Sequence, residues 1–237
     1  MTPAGSLLLV PSLLGDVAPE SVLPARTLAL ARGVEHWVVE TPKAARAFLK
    51  AIGHPRPIAQ LAIQALPERA DAATLAALLA PARGGRAVGF VSDAGAPAVA
   101  DPGAALVAAA HAAGIRVVPL VGPSSVLLAL MASGLSGQAF AFHGYLPVRE
   151  AERAARLREL EADSRASSRT QIFIETPFRN AAVLAALVAT LAPRTRLAVA
   201  VDLTLPGESI VMRSIAAWRG VDATNYQRRP AIFLVQA

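Results

Sequence analysis

The stretch VSDAGAPAVADPG, residues 91–103, decides how this chain is read. Residues 87–91 form a short apolar run of strand character, and residues 104–112 behind the stretch have the composition of a helix. Its glycines permit close backbone approach and its prolines fix the turn. A small ligand can therefore sit on main-chain amides at the carboxyl end of a sheet. Asp93 and Asp101 bring carboxylates to the same place. A plain strand-to-helix connection with Asp101 as a cap accounts for the same letters, and that reading stays open.

Working outward, the same strand-then-helix rhythm runs through the first half. Residues 7–10, 37–39, 87–91 and 117–120 read as strands, and residues 21–32, 44–52, 72–79 and 104–112 as helices. Gly33, Gly53 and Gly114 stand where left-handed C-caps are expected. Alternation of this kind is the pattern of a parallel α/β sheet. The loop VGPSS, residues 121–125, follows another strand and opens an apolar helix. Ser124 suits a cap there, and Ser125 suits either a ligand contact or the same capping role.

After residue 136 the rhythm changes. Strand-like runs at residues 140–142, 172–174, 197–201, 210–212 and 232–235 outnumber the helices at 149–161 and 180–191, which predicts a mixed or antiparallel sheet. The expectation is an α/β fold of two domains. Residues 1–120 carry a mostly parallel sheet, and residues 121–237 carry a mixed sheet with flanking helices. Residues 61–66 read as plain connecting chain.

Composition narrows the function. With no cysteine in the chain, disulfides and thiolate metal sites are excluded, and the four histidines are scattered. No metal is expected. The uncharged run at 117–135 is broken by Pro119, Gly122 and Pro123, so neither a membrane span nor a membrane partner is expected, and the cytoplasm is the expected location. The formal charge of +6 suits an anionic partner such as RNA. Only Lys43 and Lys50 among the 23 basic residues are lysines, so genome composition also accounts for the arginine-rich usage. Arg149, Arg153 and Arg156 recur on one helix face, with Arg228 and Arg229 before the last strand. Glu150, Glu152, Glu159 and Glu161 share that helix and offer internal ion pairs instead.

Taken in order, residues 91–103, then GIRVVPLVGPSS (114–125), GYLP (144–147) and IFIETPFR (172–179), resemble the ribosomal RNA small subunit methyltransferase I branch of the tetrapyrrole methylases. SLLLVPSLLGD, residues 6–16, falls where that family has its first strand and loop. The resemblance implies a homodimer whose two α/β halves hold S-adenosylmethionine in the cleft between them. It assigns Leu14, Ser92, Asp93, Ala96, Ser124, Ser125, Glu175, Thr204, Pro230 and Ala231 to the cofactor. It further implies 2′-O-methylation of a ribose in small-subunit ribosomal RNA.

Methyl transfer from a sulfonium needs alignment and removal of a proton from a weak nucleophile, so carboxylates near the cofactor are candidate bases. Asp101, Glu40, Glu175 and Asp202 all qualify, and the letters do not choose among them. The chain departs from the branch on the acceptor side. Glu40-Thr41-Pro42-Lys43 stands where Glu-Asp-Thr-Arg is usual, Phe178 replaces a histidine, and the His-Glu-His-Asn stretch is missing. Methylation of a tetrapyrrole-like small molecule, or cofactor binding without catalysis, therefore remain alternatives to the ribosomal reading.

Overall fold

The computed structural model describes residues 5–237, and the chain divides into two compact units, Met1–Ser124 and Ser125–Ala237. In the first unit, strands β1 (Ser6–Leu9), β2 (His36–Val39), β3 (Ala62–Ala65), β4 (Val88–Val91) and β5 (Arg116–Pro119) make one parallel sheet in the order β3-β2-β4-β1-β5. Helices α1 (Ala25–Arg32), α2 (Pro42–Ala51), α3 (Ala72–Leu78), α4 (Ala80–Arg83) and α5 (Ala104–Ala112) connect them. Because successive strand side chains point to opposite faces, β1 sends Leu8 to one core and Leu7 to the other. Leu28 and Ala31 of α1 and Phe48 and Leu49 of α2 fill the first core against Trp37 and Val39. Leu75, Leu78 and Leu106 from α3 and α5 fill the second against Val38, Val88 and Phe90. Each large side chain so buried contributes roughly 1.5–3 kcal/mol.

Three local expectations are corrected. Residues 62–65 are a strand, hidden in the sequence because β3 is an edge strand with three of its four residues exposed. The helix expected at 21–32 starts only at Ala25, after a 3-10 turn at Pro19–Ser21, with Pro24 at the N-cap. Gly33 is right-handed, with φ −92°, whereas Gly53 and Gly114 take the left-handed conformation expected of them.

The second unit is the expected mixed sheet. Strands β6 (Phe140–Tyr145), β7 (Thr170–Glu175), β8 (Arg196–Val201), β9 (Ser209–Ser214) and β10 (Ala231–Gln236) are ordered β6-β7-β10-β8-β9, with only β6 and β7 parallel among these pairs. Helices α7 (Glu150–Ser167), α8 (Asn180–Thr190) and α9 (Ile215–Trp218) bury Leu157, Leu187 and Trp218 against one face, where Phe173 and Phe233 stack at 5.7 Å. Helix α6 (Ser125–Ala132) packs on β10. Glu150 and Glu152 in the first turn of α7 and Arg165 in its last complement the helix dipole, and α7 runs six residues beyond its expected end.

Gly103 opens α5 with φ 131°, and a Cβ there would lie 2.2 Å from Phe90 Cε1. Gly103→Ala combines backbone strain with a clash against a fully buried ring, so it is expected to lower unfolding free energy by about 2–4 kcal/mol in urea titration.

Candidate functional site

Neighbouring strands β1 and β4 send their chains in opposite directions. From β1 the chain crosses through α1 to β2, and from β4 it crosses through α5 to β5, with α1 and α5 on opposite faces of the sheet. Such a reversal leaves a crevice beyond the carboxyl ends of the two strands. Three loops meet there. Ser12 N–H donates to Gly95 O at 2.9 Å, and Leu14 Cδ2 lies against Gly95, whose φ is 68°. Gly122 approaches Pro11 so closely that a Cβ would sit 2.4 Å from the ring, while Thr27 Oγ1 donates to Val121 O at 2.7 Å. Leu14, Ser92, Asp93 and Ala96 therefore belong to the loops that meet at this crevice. The chain takes positive φ at Gly95, Ala98, Ala100 and Gly103, two of them alanines for which this conformation is costly.

The same end of the sheet carries a carboxylate knot. Asp93 N–H donates to Glu40 Oε2 at 3.0 Å, and Asp93 Oδ1 accepts from Thr41 N–H at 3.1 Å and Thr41 Oγ1 at 2.8 Å. The loop after β2 and the loop after β4 are thereby tied to each other. Asp101 lies in the field of this knot. Burial, then the charges of Glu40 and Asp93, push its carboxyl up to about 6, against a smaller opposing pull from the Ser92 hydroxyl. Asp101 is not the helix cap, since α5 begins at Gly103 with no side-chain cap.

In the second unit, Glu175, Thr204, Pro230 and Ala231 gather at one end of the sheet. Ala231 pairs with Glu175 on one side and Val201 on the other, and Asp202 N–H donates to Pro230 O at 3.0 Å. Asp202 and Thr204 are non-glycine residues with φ 51° and 71°. Asp202 is ion-paired with Arg229 at 2.7 Å, and Glu175 Oε1 accepts from Thr176 N–H, so both carboxylates are occupied. Arg179, 3.0 Å from Glu175 Oε2, and Arg229 are the partners that the sequence reading overlooked. A charge four residues after Glu175 was the available signal for Arg179, whereas Arg229 reaches across 27 residues with no local pattern to announce it. Ser124 and Ser125 fall on either side of the division between the units.

Among the assigned residues, Thr204 Oγ1 is buried and closes no hydrogen bond, whereas Glu175 Oε2 meets Arg179 and the Ser92 hydroxyl faces Asp101. Buried groups of this kind normally find a partner, so an unmet donor or acceptor at a loop cluster is what a polar ligand would satisfy. Among the described residues no cluster suited to a metal occurs, and no helix is long and apolar enough to cross a membrane.

A family model described as Tetrapyrrole (Corrin/Porphyrin) Methylases matches residues 20–217. The chain belongs to this family of methyltransferases. It is 34% identical to Ribosomal RNA small subunit methyltransferase I of Xylella fastidiosa, over 99% of this chain and 78% of that protein. The protein of the same name from Pseudomonas aeruginosa is 33% identical, over 98% and 79%. A third, from Mesorhizobium japonicum, reaches 46%, but over 54% of this chain and 42% of that protein. Among solved structures, the methyltransferase CobJ superposes with TM-score 0.63 at 22% identity, covering 98% of this chain and 94% of its own. Uroporphyrin-III-C-methyltransferase from Thermus thermophilus superposes with TM-score 0.58 at 23% identity, with the same coverage. These two likenesses establish the fold.

On α7 the arginines take the internal ion pairs that the sequence offered. Arg149 pairs with Glu152 and Arg156 with Glu159, while Arg153 is buried and donates to Val148 O.

Because the folded-state pKa of Asp101 is raised, the folded protein holds a proton between about pH 4 and 6 that the unfolded chain has lost, so this group's contribution to stability falls as pH rises through that window. Asp101→Asn removes the effect. The variant's urea midpoint relative to the parent is expected to be higher at pH 8 than at pH 4.

Proposed function

We propose that this protein is an S-adenosylmethionine-dependent 2′-O-methyltransferase acting on a ribose of small-subunit ribosomal RNA, working as a cytoplasmic homodimer. The observation that carries the reading is near full-length similarity to two ribosomal RNA small subunit methyltransferases I, in a chain whose switch-point crevice holds the expected loops. Leu14, Ser92, Asp93, Ala96 and Ser124 of the first unit, and Ser125, Glu175, Thr204, Pro230 and Ala231 of the second, would hold the cofactor. The unmet Thr204 Oγ1 in the second unit fits contact with a polar group of a ligand. Exposed Leu127 and Met131 on α6, with exposed Met212 on β9, support a second copy as partner.

S-adenosylmethionine supplies an electrophilic methyl group on a sulfonium. The chain's share is to align the acceptor and take its proton. A ribose hydroxyl is a weak nucleophile at neutral pH, so a base must accept its hydrogen as the oxygen–methyl bond forms. Of the four carboxylates, Glu40, Glu175 and Asp202 are held by backbone amides or by arginine, while burial and the neighbouring charges push the Asp101 carboxyl up to about 6. A base poised near 6 is ionised at pH 7.5 and still basic enough to accept a proton. We therefore assign that role to Asp101. A small tetrapyrrole-like acceptor is the second reading, favoured by Lys43 where the ribosomal branch has arginine.

Mapping ribose methylation in small-subunit RNA from cells lacking this protein tests the reading, with one methyl group expected to disappear and an unchanged map counting against it. With purified protein, kcat/KM for the RNA is expected to rise with pH up to about 6 and then level off. Asp101→Asn is expected to cut turnover by roughly 10²–10⁴-fold while calorimetry shows cofactor binding retained.

A further inference from the structure

Both lysines of the chain, Lys43 and Lys50, lie on one helix, α2, and Arg46 lies between them. At 100° per residue the three fall within about 60° of one another. They stand opposite Ala45, Phe48 and Leu49, which are buried in the core of the first unit. All three cations are exposed, and none has an ion pair or hydrogen bond among the described residues. No acidic residue occurs within α2. The contrast with α7 is physical: there Arg149 and Arg156 each meet a glutamate one turn away, and these charges are neutralised within the helix. On α2 the field of three cations is left for something outside the chain.

The direction of the helix adds the second half of the argument. Its first residue, Pro42, follows directly on the Glu40–Thr41–Asp93 knot, so the cationic stripe begins beside the carboxylates and leads away from them over roughly 10 Å. That length meets roughly two or three successive phosphates of one strand. An anionic backbone is attracted along the stripe and repelled by Glu40, Asp93 and ionised Asp101. A polynucleotide lying there keeps its phosphates on α2 and presents a sugar hydroxyl, rather than a phosphate, toward the carboxylates. An anionic membrane surface fits less well, because the apolar side of α2 is already consumed by the core and has nothing to insert.

We propose that the exposed face of α2, formed by Lys43, Arg46 and Lys50, is the track on which the phosphodiester backbone of the RNA acceptor runs. The inference rests on the ribosomal RNA reading and names the surface that serves it. Lysine meets phosphate as a point charge, so the track calls for positive charge at these positions and not for the fixed fork of an arginine.

The test is the salt dependence of RNA binding for the full chain, read by fluorescence anisotropy with a labelled polyuridylate 20-mer and with small-subunit ribosomal RNA. Each phosphate contact adds about 0.7–0.9 to the slope of log affinity against log salt. The triple variant Lys43→Gln, Arg46→Gln, Lys50→Gln is expected to lose about 2–3 from that slope. Its KM for the RNA should rise roughly tenfold or more with little change in kcat, while cofactor binding and the thermal midpoint stay at parent values. Lys43→Arg with Lys50→Arg should keep the slope, and Arg149→Gln with Arg156→Gln on α7 should leave it unaltered. An unaltered slope in the triple variant, with the parent still methylating ribosomal RNA, overturns the track alone. Loss of binding to anionic phospholipid vesicles with no change toward RNA overturns it in favour of a membrane contact. A parent that neither binds nor methylates RNA overturns both the track and the ribosomal reading.

Discussion

Everything about the first unit follows from a constraint of connection: parallel strands cannot be joined by hairpins, so each must be followed by a crossover, and β1 and β4 take theirs in opposite directions. Two adjacent strands whose exits diverge leave their carboxyl ends uncovered. The loops that follow are then obliged to fill that space with their own backbone. Tight packing of those loops explains why glycine stands at residues 95, 103 and 122, and why alanines at 98 and 100 are held in a conformation they resist. Backbone is spent here on shape rather than on regular pairing, which leaves peptide groups beyond the carboxyl ends of the strands.

Much of this was legible in the chain because its signals are local. The VSDAGAPAVADPG stretch joins a strand to a helix in one segment, and the apolar runs of α5 and β7 mark their elements without help from elsewhere. β3 was not legible, since an edge strand exposed on most of its length has no hydrophobic pattern to offer. Gly33 misled because a glycine after a helix has no obligation to turn left. The hydrogen bonding around Asn180 shows the same limit at longer range, as its amide donates to the carbonyls of Tyr226 and Arg229, residues 46 and 49 positions away.

The candidate site divides in the same manner. The place of Asp93 in a loop after a strand was legible in sequence, whereas its assignment and that of Ser92 to a cofactor came from the family resemblance. The choice among four possible bases could not be made that way. What separates Asp101 from Glu40 is which of them a neighbouring N–H has already claimed, and that is a property of two loops meeting. The exchange of Glu-Asp-Thr-Arg for Glu-Thr-Pro-Lys also looks different in three dimensions. Thr41 contributes both its amide and its hydroxyl to Asp93, and Pro42 opens the helix where a missing N–H costs nothing.

The knot between Glu40, Thr41 and Asp93 has a consequence for how such chemistry can drift. Each of its two acids has one oxygen held by an amide or a hydroxyl, so they act as fixed sources of potential on their neighbour. A change at Thr41, which bears no charge, would set Asp93 free and detune a third acid without touching it. The acidity of Asp101 thus depends on its burial and, after that, on the placing of two neighbouring charges, so a substitution that looks silent in a list of ionisable groups can still shift it.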